Sequence, residues 1–194
     1  TGAAQATFLL LLGILLTGLL LLGWSFDGGV RLFGLGLAGL ALWLGRHDIA
    51  RRTVKQAGLT RFIAICLLTG YVWLGISGLS AMWFGAVPVG PQYDATLHAF
   101  FLGFVFAMIF AHAPIIFPAV LGARMAYRPL FYAHVVLLQV TLVVRLIGDA
   151  AGWSAGRQVG GLLNAVTLLL FLVNTVSALQ SPPERAGTAQ GRGA

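Results

Sequence analysis

The stretch TLHAFFLGFVFAMIFAHAPIIFPAVLG, Thr96 to Gly122, contains no Asp, Glu, Lys or Arg. A hydrocarbon layer about 30 Å thick is crossed by about 20 apolar residues in helical form, so this run is long enough to span it. Within it stand two histidines, His98 and His112, and two prolines, Pro114 and Pro118. Working outward, comparable apolar runs occur at about 7–24, 29–45, 61–84, 130–151 and 159–179, with the quoted stretch falling in a fourth run at about 95–120. Lipid offers no partner for an unpaired backbone amide, so each run is expected to be helical. Closed barrels are excluded, because no run shows the two-residue alternation a barrel strand needs.

The composition agrees. Of 194 residues, 59% are hydrophobic and 9% charged, with mean hydropathy +0.92, far from the balance of a soluble domain. The expected fold is an all-α, polytopic integral membrane bundle of six transmembrane helices over residues 1–180. Residues 181–194, SPPERAGTAQGRGA, read as a disordered cytoplasmic tail. The first run lacks a basic leader and a cleavage site and is read as a retained helix.

A net charge of +7 does not point to nucleic acid here. The basic residues lie in short loops between apolar runs, where they report orientation. Arg46, Arg51, Arg52, Lys55, Arg61, Arg124, Arg128, Arg185 and Arg192 fall on one side and only Arg31 and Arg157 on the other. The positive-inside rule then places both termini in the cytoplasm, as an even number of spans requires. The implied location is a bacterial inner membrane, with the lipid bilayer as partner and partner chains or a homo-oligomer as further possibilities. Cys66 has no second cysteine to pair with and reads as a small buried hydrophobe.

Small residues recur at helical spacing: Ala99, Gly103, Ala107 and Ala111 in the fourth run, and Gly34, Gly36, Ala38 and Gly39 in the second. Such seams let helix backbones approach closely in lipid.

Ionisable groups inside the hydrocarbon layer are costly unless paired or bound. The candidates are His98, His112, His134, Arg145 and Asp149, while Asp94 and His47 lie at loop edges and read as solvated. On a regular helix the fourteen-residue step from His98 to His112 is about 40° short of four turns and rises about 21 Å, so both imidazoles share a face at two depths. His134 and Arg145 likewise share a face of the fifth helix, which runs the opposite way. His112 and His134 thus fall in the inner half; His98, Arg145 and Asp149 fall in the outer half.

Neutral imidazole is a common ligand for haem iron and other transition metals. The arrangement suggests an inner site with His112 and His134 as axial ligands of a b-type haem. An outer site would use His98 for a second metal, copper or iron, or a second haem, with Arg145 balancing a propionate. Arg145 and Asp149, four residues apart, read as a structural ion pair. Pro114 and Pro118 are expected to bend the helix near His112.

The segment HAFFLGFVFAMIF, His98 to Phe110, resembles the haem-bearing helices of the NnrS family, which is related in architecture to subunit I of haem-copper oxidases. The resemblance spans about Thr96 to Asp149. It implies that His98 is a haem or metal ligand and suggests the same for His112, with no counterpart for His134. Those families have about twice as many spans, and the histidine run of the oxidase copper centre is missing here. The His98 and His112 spacing is also similar to that of cytochrome b, although the fifth helix supplies one histidine only.

Two functions follow as expectations. One is a membrane haem protein for electron transfer or for binding a diatomic gas such as nitric oxide, its haem held between the fourth and fifth helices. The alternative is a non-catalytic accessory subunit of a larger respiratory or photosynthetic membrane complex, binding pigment, quinone or lipid. No catalytic acid or base can be assigned in either.

Overall fold

The computed structural model describes residues 2–180, and the tail at 181–194 lies outside the described residues. Among the described residues, eight α-helices build the fold: α1 Gly2–Leu21, α2 Phe26–His47, α3 Ala50–Thr53, α4 Gly58–Phe84, α5 Pro91–His98, α6 Phe106–Leu121, α7 Phe131–Ala150 and α8 Ser154–Ala178. A π-helical segment, Ala99–Val105, joins α5 to α6 into one 31-residue rod. Six of the resulting rods are long and apolar enough to cross a membrane. The fourth and sixth rods begin earlier than hydropathy alone predicts, because the polar first turns Pro91–Asp94 and Ser154–Gln158 are helical too.

The central rod is α4, which packs on α2, on the π segment and on α6, whereas α1 touches chiefly α2 and α8 chiefly α7. Helices in lipid gain little from the hydrophobic effect between them, so close backbone approach carries the packing. At the α2–α4 crossing a Cβ added to Gly78 would lie 2.5 Å from the Ala38 amide, and one added to Gly34 would lie 2.6 Å from the Gly78 carbonyl. The second seam behaves the same way. Ala99, Gly103, Ala107 and Ala111 are all buried, and Gly103 admits the Trp73 ring of α4 against its backbone.

Apolar side chains fill the rest. Phe62, Cys66, Phe110, Phe131, Val135 and Leu138 form one cluster, and Trp73, Ala99 and Leu142 another.

The first and last described residues lie at the same end of the bundle. The Trp43 indole donates to the Ala4 carbonyl at 3.0 Å, and Arg124–Met125 pairs antiparallel with Leu179–Gln180. The loops carrying Arg46, Arg51, Arg52, Lys55, Arg124 and Arg128 lie at this same end. At the other end, Asp27 and Arg31 tie α2 to the loop after α4. Asp27 accepts from the Ala86 amide at 2.9 Å, and Arg31 donates to the carbonyls of Met82 and Trp83. That loop turns at Gly85, φ 66°, where a Cβ would strike the Asp27 carboxylate. Pro91 then opens α5 at the start of its first turn, where its missing N–H costs nothing.

Gly78→Leu is expected to destabilise the detergent-solubilised protein by at least about 1–3 kcal/mol, the usual penalty for overpacking. Gly13→Leu, where an added Cβ meets nothing within 4 Å, should leave the thermal unfolding midpoint nearly unchanged. Equal midpoints for the two variants would show that the crossing is not tight.

Candidate functional site

The rod formed by α5 and the π segment divides two features. On one side lies a cluster of charges, on the other an aromatic cleft.

The cluster begins with Asp94, in the first turn of α5. Its Oδ2 lies 2.6 Å from the Arg145 guanidinium of α7. Asp94 was expected to be a solvated loop residue; it is instead the partner of Arg145, with 29% of its side chain exposed. Arg145 also donates to the Arg157 carbonyl at 3.1 Å, and the Arg157 Nε stands 2.6 Å from Asp149 Oδ1. The ion pair anticipated within α7, Arg145 with Asp149, is therefore exchanged for two pairs between elements. The reason is geometric. Packed neighbours offer each charge a partner across a helix interface, and the cluster balances two cations with two anions as a low-dielectric site requires. Arg157, read from sequence only as an orientation marker, is half of one pair. The Asp149 side chain is 1% exposed, and neither of its oxygens accepts an aligned hydrogen bond.

His98 closes α5 beside this cluster. Its Nδ1 lies 2.8 Å from the Asp94 carbonyl and 3.4 Å from Asp94 Oδ1. A donor is needed toward that carbonyl, so Nδ1 carries a proton, and in the neutral ring Nε2 holds the lone pair.

The π segment changes the phase of everything after it. The Phe106 amide bonds to the Phe101 carbonyl, five residues back, and each such turn takes up an extra residue. His98 and His112 therefore do not share the face that a regular helix gives them. His112 is exposed, with Nδ1 turned to its own helix at the Met108 carbonyl, 2.7 Å away. α6 meanwhile continues through Pro114 and Pro118 to Leu121.

His134 is 2% exposed and enclosed by rings. Phe110 stands 4.7 Å away between centroids, Phe171 5.2 Å, Phe131 6.1 Å and Phe62 6.2 Å. The Asn174 amide nitrogen faces its Nδ1 at 3.4 Å, which puts the proton on Nε2. That nitrogen has no hydrogen-bond partner and points among aromatic faces, where an N–H···π contact is available. Of the two imidazoles expected to converge on one iron, His112 lies at the bundle surface and His134 is walled in by phenyl rings. Among the described residues, no group of three or more His, Cys, Asp or Glu is placed to hold a metal ion.

On the opposite side of α5 lies a cavity of about 470 Å³ between α2, α4 and the fourth rod. Phe33, Leu37, Ala81, Leu97 and Phe100 form its apolar walls. Exposed Phe26, Phe84 and Phe101 stand at its rim. The pinned loop at Gly85–Pro88 also lines it. Inside, Ser77 donates to the Thr96 carbonyl at 3.1 Å, and Thr96 donates to the Gln92 carbonyl at 2.8 Å. Gln92 and Tyr93 also line the cleft; both are exposed, and their side-chain polar atoms make no hydrogen bond within the described residues. Among the described residues, no histidine lines the cleft. Sequence reading missed it because its walls come from three rods, each of which reads as ordinary packing.

Residues 1–180 match the family described as a domain of unknown function, DUF8744. The chain belongs to that family. No curated protein and no solved structure matches it.

Removing one member of the outer pair leaves a charge behind. Arg145→Met is expected to cost a few kcal/mol, at the low end of the about 3–5 kcal/mol typical for breaking a buried pair, because Asp94 keeps 29% exposure. The double variant Asp94→Asn with Arg145→Met should recover part of that loss in a thermal melt. No recovery would mean that the two side chains are not coupled.

Proposed function

We propose that this chain is an integral membrane protein that binds a quinone-class ligand in the cleft beside α5. The single observation that carries the reading is the cavity of about 470 Å³, which is apolar and aromatic along its walls and has two uncommitted polar side chains in its lining. Its size falls within the usual range for small-molecule sites, and few, placed polar groups among aromatic walls are what such sites use for orientation. A quinone presents a flat ring with two carbonyl acceptors and an isoprenoid chain. The Gln92 amide and the Tyr93 hydroxyl supply donors for the carbonyls, and Phe33, Phe100 and Phe101 supply surface for the ring and chain. Entry from lipid past the exposed rim suits a ligand dissolved in the bilayer.

A second reading keeps His98 as one axial ligand of a b-type haem. The observation favouring it is the engaged Nδ1, which leaves Nε2 as a lone-pair donor, a common arrangement of ligating histidines. Arg145 would then face a propionate. Bound there, a haem would supply one-electron transfer or an iron site for a diatomic gas. The resemblance of His98 to Phe110 to haem-bearing helices points the same way, whereas His112 and His134 do not contribute to such a site.

The orientation we propose puts the basic end, with both chain termini, in the cytoplasm, on the loop charges alone.

Titration of the purified protein with a short-chain quinone should show saturable quenching of tryptophan fluorescence. Ala81→Trp, which fills the cleft, should weaken binding by at least about tenfold, a loss of about 1.4 kcal/mol. Unaltered binding in Ala81→Trp at native helicity would remove the cleft from consideration. A dithionite-reduced minus oxidised spectrum decides the second reading. Bands lost in His98→Ala but kept in His112→Ala and His134→Ala support it, and a preparation without a Soret band after haem addition defeats it.

A further inference from the structure

A different part of α2 and α4, toward the basic end, carries a second recess. A groove of about 820 Å³ runs between Ala38, Ala41, Leu42, Val72, Gly75 and Leu79, and ends at Arg46 and Arg51. The same two arginines help line an adjoining polar pocket of about 480 Å³, together with Arg52. From Leu68 to Leu79 on α4, eleven steps, the apolar part extends about 16 Å at about 1.5 Å per residue. That is close to half of the about 30 Å hydrocarbon thickness, the depth of one leaflet.

Among the described residues, the arginines at its end are uncommitted to carboxylates. Asp48 is the nearest acid in the loop, and its oxygens are occupied: Oδ1 accepts from the Ala50 amide at 2.7 Å and Oδ2 from the Tyr71 hydroxyl at 3.0 Å. Among the described residues, none of Arg46, Arg51 and Arg52 has an acidic oxygen within ion-pair distance. Arg51 donates to the Arg46 carbonyl at 3.2 Å, which holds its guanidinium over the groove's end. An apolar slot of leaflet depth capped by unpaired guanidinium groups is complementary to a diacyl lipid with an anionic headgroup. Arginine forks fit phosphate oxygens in pairs.

We propose that this groove is a binding site for an anionic phospholipid, with an acyl chain between α2 and α4 and the phosphate at Arg46 and Arg51. The site is separate from the cleft beside α5 and stands or falls independently of it.

Native mass spectrometry of the full chain released from detergent micelles tests the site. The probes are dioleoyl-phosphatidylglycerol, dioleoyl-phosphatidylcholine and inorganic phosphate. Phosphatidylglycerol is expected to bind at least about tenfold more tightly than phosphatidylcholine. The double variant Arg46→Gln with Arg51→Gln should bring the two lipids level, and the Arg46→Lys with Arg51→Lys variant should keep most of the preference. Gly75→Leu, which leaves both arginines and puts a side chain into the groove, should weaken phosphatidylglycerol at least as strongly. Equal affinity for the two lipids in the wild-type chain overturns the proposal. So does a preference that survives the glutamine variant, or wild-type lipid binding in Gly75→Leu. Inorganic phosphate that displaces the lipid at equal concentration would show an anion site without a lipid.

Discussion

The contact on which the arrangement depends is the backbone crossing of α2 and α4 at Gly34 and Gly78. Between helices in lipid there is no hydrophobic gain, so association rests on how closely the chains can approach. A recess lies on each side of the crossing. Toward the end opposite the basic loops is the aromatic cleft, lined by Phe33, Leu37, Ser77 and Ala81. Toward the basic end is the groove lined by Ala41, Leu42, Val72 and Gly75. The same two helices thus wall both recesses, and a larger residue at Gly34 or Gly78 would alter both.

Charge inside the bundle obeys a second constraint. Asp94, Arg145, Asp149 and Arg157 come from the starts and ends of three rods, and none could be tolerated alone at that depth. Pairing across elements fixes the start of α5 against the end of α7, and the start of α8 against the end of α7. The pairs therefore act as register marks for α5, which carries one wall of the cleft. Asp27 and Arg31 perform the same service on the other wall by holding the loop at Gly85–Pro88. The cleft is walled by apolar side chains but positioned by charged ones.

Much of this was legible in the sequence and some was not, for reasons that differ by residue. The six rods could be read because hydrophobicity and helical backbone satisfaction are local properties, summed along the chain. The seams at Ala99, Gly103, Ala107 and Ala111 could be read because small side chains at spacing four have one economical use in lipid. Pairing could not. Arg145 lies four residues from Asp149 and was expected to bond it, but its choice of Asp94 depends on which rods are neighbours, a fact no local spacing contains. Gln92 and Tyr93 carried no signal at all, since exposed polar residues near a helix start are ordinary.

The histidines show the same limit in its sharpest form. Angular arithmetic assumes about 100° per residue throughout, and it fails wherever the hydrogen-bond step changes. A π segment of seven residues, Ala99–Val105, lies between His98 and His112, and every extra residue it absorbs rotates the second imidazole away from the first. No proline or glycine run marks the change beforehand. A cause in the packing is at hand: Gly103, in the middle of the segment, is pressed against the Trp73 ring, and the Trp73 indole is in turn bonded to Gln139 of α7. A wider helical turn at that height lets the backbone follow the large ring while Ala99 and Ala107 stay buried on either side. On this account, the bulky partner across the seam, and not the histidines, sets the course of the rod. His98 keeps its place beside Asp94 and Arg145 because it precedes the wide turn, and His112 loses its place because it follows.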